Sequence, residues 1–212
     1  MLSKILAVCP IGMAAFLDFS IGILLGVLIA HYYGIELAWW QLVLSGILAF
    51  LPDFDLIPGL LLRGTVEGNH HETLLHRPLL VVPVVTLCGW SIGGFVWGTI
   101  AFAGVFWHYL HDTPELGGGG IAWAWPFSRY YYSPTRWREA PEDSLSSTTS
   151  PDAWLAEWLY PSPLATRELG SGIVILALAL WLQSGRWWLA LLCLAACSLG
   201  VVTIWQLRKS TA

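Results

Sequence analysis

Five apolar stretches run along the chain, at about residues 5–30, 37–51, 79–107, 172–183 and 187–205, and short polar segments separate most of them. Long runs without charged positions predict helices that lie in a bilayer rather than amphipathic helices of a soluble bundle. The pattern therefore predicts an all-α, polytopic membrane helical bundle.

The third stretch is too long for a single crossing. As one straight helix, His76 to His108 would span about 48 Å at ~1.5 Å per residue, with a polar motif at each membrane face. Residues 91–94 (Ser-Ile-Gly-Gly) lie near its middle and favour a turn. We therefore predict a hairpin of two short helices, at about 75–90 and 95–111, and about six membrane helices in all.

The basic residues support the hairpin independently. With six helices, all but one of the ten lysines and arginines lie on one side of the membrane, and only Arg186 lies on the other. Such an asymmetry marks the cytoplasmic side. The residues on that side are Lys4, Arg63, Arg77, Arg129, Arg136, Arg138, Arg167, Arg208 and Lys209.

Composition agrees with a membrane location. Hydrophobic residues make up 56% of the chain and charged residues 11%, whereas soluble domains carry about 25% charge. Fourteen tryptophans and seven tyrosines suit the membrane interfaces. The net charge of −4 leaves no basic face for nucleic acid, so we expect none as a partner. Membrane lipids are the expected surroundings.

Three regions follow from this pattern. Residues 1–128 form a membrane domain, residues 129–168 a polar and aromatic cytoplasmic loop, and residues 169–212 a C-terminal membrane helix hairpin. The last two apolar stretches carry no ionisable residue in their cores, so we expect them to anchor and pack.

Polar motifs lie at ends of the apolar stretches on the predicted cytoplasmic side. They are LPDFD (51–55), GNHHETLLHRP (68–78) and WHYLHDT (107–113), and together they hold five of the six histidines. Imidazole and carboxylate groups are costly beside a membrane unless they have partners. A bound metal ion is one partner that many such groups can share, so we predict a metal site at the cytoplasmic face.

Spacing selects the candidate ligands. His108 and Asp112 are four residues apart and share a helix face. His71 and His76 are about 140° apart on an ideal helix, so they converge only if His71 lies in the preceding loop. Because Asp53 and Asp55 follow Pro52, an irregular backbone can direct both carboxylates inward.

Other polar residues are open to more than one interpretation. Asp18 either caps a helix that begins at Phe19 or supplies another ligand. His111 is expected to orient Asp112 or a bound water. His70 is expected to stay outside the ligand set, and His31 to lie at the opposite membrane interface.

At these motifs the chain resembles the YdjM-type family of membrane-bound, metal-dependent hydrolases. Members share a Pro-Asp-x-Asp element, a His-x-x-x-x-His element of the form HRGxTHS, and a (S/T)HxxxD element followed by a Gly-rich stretch containing WPF. The matching positions here are 52–55, His71 with His76, His108 with Asp112, and GGGGIAWAWPFS at 117–128. The resemblance covers about residues 15–128.

The chain departs from the family pattern at two places. Asp18 stands where the family has a histidine opening the first helix, and residues 72–75 replace Arg-Gly-x-Thr. The second departure removes a cation that could bind phosphate, and Arg77 is a candidate substitute. Through this family the chain is distantly similar to zinc-dependent phospholipases C and single-strand nucleases, which are all-helical and bind zinc through His, Asp and His-x-x-x-Asp pairs.

The motifs and the resemblance together imply an inner-membrane, metal-dependent hydrolase that acts on an ester or phosphoester, including lipid-linked ones. The expected metal is Zn²⁺, with Mn²⁺ or Fe²⁺ as alternatives. Asp55 or His111 is expected to act as general base. The alternative is a non-catalytic membrane protein with a structural or transport-related metal site. The predicted ligands are Asp18, Asp53, Asp55, His71, His76, His108 and Asp112.

Overall fold

The computed structural model is mostly helical in the residues it describes. Helix α1 is Phe16–Tyr32, α2 is Trp39–Phe50, a long helical stretch covers Pro78–Asp112, and a further helix is Leu164–Ser184. The described residues are 15–58, 61–62, 66–67, 70–113, 120–133, 136–139, 148–149, 164–186, 188–189, 191–192 and 195.

The long stretch Pro78–Asp112 is a helical hairpin. Gly94 breaks it with φ 72° and ψ −165°, which divides it into α3 (78–93) and α4 (95–112). The two arms pack closely side by side. A Cβ added to Gly89 would lie only 2.7 Å from the carbonyl oxygen of Trp97 in the other arm. The turn falls at the end of the predicted range 91–94, where a glycine permits a conformation that other residues avoid.

The remaining helices pack around this hairpin. Helix α1 contacts α2 and the helix Leu164–Ser184, which we call α5, and the hairpin contacts both α1 and α2. Apolar side chains from α1, α2, α4 and α5 meet in one core. Its buried members include Ile23, Val27, Leu42, Ile100, Leu176 and Ala179.

The outer surface of the bundle is apolar. Large side chains such as Val84, Leu87, Trp90, Phe102 and Trp181 are exposed. Only 6% of the most apolar part of Pro78–Asp112 is buried inside the molecule, so most of this part faces outward. Exposure of so large an apolar surface is unfavourable in water but not in contact with lipid.

Two helical stretches, Trp39–Pro58 and Pro78–Asp112, are long and apolar enough to cross a membrane. The turn at Gly94 leaves each arm of the second stretch roughly 25 Å long at ~1.5 Å per residue, slightly less than a hydrocarbon core of about 30 Å. The helices Phe16–Tyr32 and Glu168–Ser184 are shorter and also apolar. The predicted sixth helix, at about 187–205, lies largely outside the described residues.

Short irregular elements connect the helices at one end of the bundle. A 3₁₀ helix, Leu51–Asp55, continues α2, and two further 3₁₀ turns, His70–Glu72 and Leu74–His76, precede α3. Two small antiparallel pairs were not predicted from the sequence. They join β1 (Val66–Glu67) to β4 (Thr148–Thr149) and β2 (Tyr130–Ser133) to β3 (Arg136–Glu139).

The loop region also differs from its expected boundary. Helix α5 begins at Leu164, inside the segment 129–168 that we predicted as a loop. The aromatic run in β2 explains the strand, because tyrosines favour extended backbone.

Replacing Gly94 by alanine should lower the free energy of unfolding by about 1–3 kcal/mol, because its backbone conformation is nearly exclusive to glycine. Thermal unfolding of the purified protein in detergent measures the effect. The matched control is Gly170→Ala, which lies in helix α5 with open space around it and should be neutral or slightly stabilising. Equal effects of the two substitutions would argue against a hairpin turn at Gly94.

Candidate metal centre

The polar residues converge because the ends of four helices meet at one end of the bundle. Asp18 lies in the first turn of α1, and Asp53 follows the end of α2. His76 directly precedes α3, while His108 and Asp112 lie in the last turns of α4. The hairpin is essential to this arrangement, because it returns α4 to the end where α3 begins.

Four side chains form a central donor group consisting of Asp53, His76, His108 and Asp112. One donor atom from each lies within 4.8 Å of all the others. His108 Nε2 is 2.9 Å from Asp112 Oδ2, and the Nε2 atoms of His76 and His108 are 3.4 Å apart. Asp53 Oδ1 lies 3.4 Å from His108 Nε2 and 3.6 Å from His76 Nε2.

A second group consists of His70, His71 and His76, whose donor atoms also lie within 4.8 Å of one another. It adjoins the central donor group, because His71 Nε2 is 3.7 Å from Asp112 Oδ2. His70, which we expected outside the ligand set, has Nε2 3.6 Å from Asp53 Oδ1. The 3₁₀ turns explain this convergence. In a regular α-helix, the rotation of about 100° per residue would direct the three rings to different sides.

Asp55 belongs to neither of these two groups and lies on the far side of the His76 ring. Its Oδ2 is 2.8 Å from His76 Nδ1 and also accepts a hydrogen bond from the Thr73 hydroxyl. This contact leaves His76 Nε2 directed at the central donor group. Carboxylates placed in this way hold the ring and tautomer of a metal-binding histidine.

Asp18 occupies the corresponding position behind His108. Its Oδ2 lies 3.4 Å from His108 Nδ1, and Trp107 Nε1 donates a hydrogen bond of 2.8 Å to its Oδ1. The alternative that Asp18 caps a helix at Phe19 is wrong, because α1 begins at Phe16 and Asp18 lies inside its first turn. Its side chain faces inward and is 3% exposed.

His111 lies beside the centre and is its more accessible imidazole. Its Nδ1 is 3.2 Å from Asp18 Oδ1 and 3.8 Å from Asp112 Oδ1, and its side chain is 25% exposed. On the other side, His111 Nε2 is 3.8 Å from Glu168 Oε1. Sequence reasoning missed Glu168, because an acidic residue near the start of a helix is common and gives no signal of a site.

His31 lies at the opposite end of α1 from Asp18, about 20 Å away at ~1.5 Å per residue. The ring of Tyr33 contacts Phe95, so that end of α1 is also the end where the hairpin turns. His31 therefore lies away from the site, and its position at the opposite membrane interface stays a prediction.

The pKa values of the two histidines before α3, His71 and His76, are shifted in opposite directions. Burial, together with the neighbouring imidazole of His70, holds the pKa of His71 well below its ordinary value. Burial also opposes the charged form of His76, but the contacts with Asp112, Asp53 and Asp55 outweigh it and raise the pKa of His76 to about 10. The negative potential that retains this proton also attracts a metal cation.

The donor set fits a divalent metal ion. Asp112 Oδ2 is buried and accepts no hydrogen bond from the described residues, although three imidazole nitrogens lie 2.9–3.7 Å away. Atoms that are this close without being hydrogen-bonded could act together as donors to one bound ion. Nitrogen and carboxylate oxygen donors in such numbers suit Zn²⁺, Mn²⁺ or Fe²⁺.

The fold and this site define a helical membrane protein with a His/Asp cluster that could hold a metal ion. The sequence profile described as YdjM inner membrane protein matches residues 13–209, so the chain belongs to that family. The resemblance inferred from the motifs is thereby confirmed and extends beyond residue 128. Neither a curated protein nor a solved structure matches this sequence.

Replacing Asp55 by alanine should weaken Zn²⁺ binding by about 10–100-fold, because the side chain that contacts His76 Nδ1 and holds its Nε2 inward is then lost. Competition with a chromogenic chelator measures the affinity. The control is Glu36→Gln, which removes an exposed carboxylate from the loop between α1 and α2 and should leave the affinity unchanged. An affinity equal to that of the unmodified protein would exclude the orienting role of Asp55.

Proposed function

We propose that the protein is a metal-dependent hydrolase of the inner membrane that cleaves an ester or phosphoester bond. The observation that carries the proposal is the convergence of Asp53, His76, His108 and Asp112 within 4.8 Å at one end of an apolar bundle. These residues would hold the metal, with His70 and His71 completing the donor set. Of the candidate metals, Zn²⁺ best matches mixed imidazole and carboxylate donors.

When bound, a divalent ion supplies Lewis-acid chemistry, which activates water and polarises an ester or phosphoester oxygen. The protein contributes the arrangement around it. Asp55 holds His76 from behind, and Asp18 lies 3.4 Å behind His108, which favours Nε2 atoms directed at one point. Neutral Nε2 atoms and ionised carboxylates are the forms in which these groups bind metal.

His111 is the better placed of the two candidate general bases. It is the more exposed side chain, and Asp18 and Glu168 lie on either side of its ring to stabilise the protonated form. Asp55 is 6% exposed and engaged by both Thr73 and His76, which favours an orienting role. His111 would therefore accept the proton from the attacking water.

A lipid or lipid-linked ester fits the position of the site. The donors lie where helices end, and Leu74, Leu79 and Leu80 beside them are exposed apolar side chains. A substrate with an acyl or prenyl chain could remain in the bilayer while its polar group reaches the centre. Membrane lipids are thus both the surroundings and the proposed source of the substrate.

For the whole chain we propose six membrane helices, with the site on the cytoplasmic side. In this arrangement residues 1–128 carry the site, residues 129–168 form a cytoplasmic region, and residues 169–212 form a C-terminal helix pair. The charge asymmetry and the short, lipid-exposed arms of the hairpin support it.

Single cysteines at Leu62 and Phe127, which are 82% and 89% exposed, should react with an impermeant thiol reagent only from the cytoplasmic side. A cysteine at Glu36 should react only from the opposite side. The experiment uses a variant that lacks the four native cysteines. Reaction of positions 62 and 127 from opposite sides would contradict the proposed topology.

Replacing His108 or Asp112 by alanine should remove bound metal and abolish chelator-sensitive hydrolysis, because each contributes a donor to the central donor group. Metal analysis is combined with assays of a chromogenic phosphodiester, a phosphomonoester and a short-chain ester in the presence of Zn²⁺ or Mn²⁺. The control is His31→Ala at the opposite end of α1, which should retain both properties. Metal binding without hydrolysis of any of these substrates, coupled to loss of folding in the variants, would favour a structural metal site.

A further inference from the structure

Most of the proposed donors lie in short 3₁₀ segments, which are not stable by themselves. His70, His71 and His76 lie in two 3₁₀ turns of three residues each, which form few internal hydrogen bonds. Only His108 and Asp112 belong to a long helix, and they lie in its final turns, where helices fray. Donors held to a fixed geometry on such backbone need support from elsewhere in the fold.

Residues 120–133, which we call the aromatic segment, contact the backbone around His76. Arg77, the residue after His76, is 9% exposed and donates a 2.8 Å hydrogen bond to the Tyr131 hydroxyl. The same guanidinium donates to the carbonyl oxygen of Glu72 and lies over the rings of Tyr131 and Trp125. Arg77 therefore closes the loop that carries His71 and His76 and fixes it to the aromatic segment.

These contacts also decide the role of Arg77. A guanidinium that donates to a buried tyrosine and to a carbonyl, between two aromatic rings, is already engaged. Its position supports the fold around His76 rather than the binding of a phosphate in place of the arginine missing at residues 72–75.

The aromatic segment has a second attachment beside Asp112. Trp123 Nε1 donates a 3.0 Å hydrogen bond to the hydroxyl of Thr113, the residue after Asp112. The ring of Trp123 also packs edge-on against Tyr109, the residue after His108. Tyr109 in turn donates a 2.6 Å hydrogen bond to the carbonyl oxygen of Leu75, which precedes His76.

These contacts connect the loop before α3 to the aromatic segment and the aromatic segment to the end of α4. The Tyr109 hydrogen bond to Leu75 connects the end of α4 directly to the loop. Ile121 and Ala122 in the segment are fully buried, and Ile121 pairs with Tyr132, so the segment is itself folded. We infer that the aromatic segment is a positioning element: Tyr131 and Trp123 fix the two ligand-bearing backbones, beside His76 and beside Asp112, relative to each other. The inference rests on the proposed metal site, and its first test is made without metal.

Each of the decisive variants removes one hydrogen bond and retains an aromatic side chain. Tyr131→Phe loses the acceptor of Arg77, and Trp123→Phe loses the donor to Thr113. Amide hydrogen exchange of the metal-free protein in nanodiscs should accelerate several-fold at residues 70–78 in the first variant and at 107–113 in the second. The controls are Tyr32→Phe and Trp181→Phe, exposed positions remote from the site, which should change neither region.

Co²⁺ binding, followed by its visible absorption, provides the readout that loss of general stability would not move. Each variant should bind Co²⁺ about tenfold more weakly and show altered visible bands while its helix content and melting temperature stay near those of the unmodified protein. Unchanged exchange in both regions, or unchanged Co²⁺ affinity and bands, would overturn the inference. The exchange measurement needs neither metal nor turnover. Its result therefore tests the positioning role separately from the proposed hydrolase activity.

Discussion

Burial of several imidazole and carboxylate groups at one end of an apolar bundle is the constraint on which the rest of the structure depends. His76 and His108 are fully buried and Asp53 and Asp112 are mostly buried, and each would be costly there alone. Together they offset part of that cost, since every donor faces one of opposite character within 4 Å. A divalent ion would neutralise the two carboxylates that meet there.

The path of the chain follows from this requirement. Helix α4 must end where α3 begins, because His76 precedes one arm of the hairpin and His108 ends the other. The turn at Gly94 meets this condition and makes two arms that are short for membrane helices. Their outward faces are apolar and exposed, so the same segment serves the membrane on one side and the site on the other.

The groups around the donors differ in what they contribute. Asp55 and Asp18 contact the Nδ1 atoms of His76 and His108 and leave the opposite nitrogens directed inward. Beyond them, Arg77 connects the loop to the aromatic segment. Membership of the YdjM inner membrane protein family agrees with the apolar outer surface of the bundle. The proposed hydrolysis would use the side of the site where His111 is partly exposed.

Sequence alone determined the elements with a strong local signal. The apolar runs predicted the helices, and the spacing of His108 and Asp112 placed them on one helix face because the helical period is fixed. The hairpin could be predicted because a straight helix of known rise would have separated the polar motifs. Family membership likewise followed from motifs that are each only a few residues long and can be recognised one by one.

Tertiary structure decided what depends on contacts between distant segments. His70 and His71 both turn inward because 3₁₀ backbone, which has no strong sequence signature, replaces a helix before α3. Glu168 reaches His111 only because α5 packs beside α1, at a separation that no local pattern records. For the same reason the sequence could name Asp18 and Asp55 as candidate ligands, whereas only the packed structure places each of them behind a histidine ring.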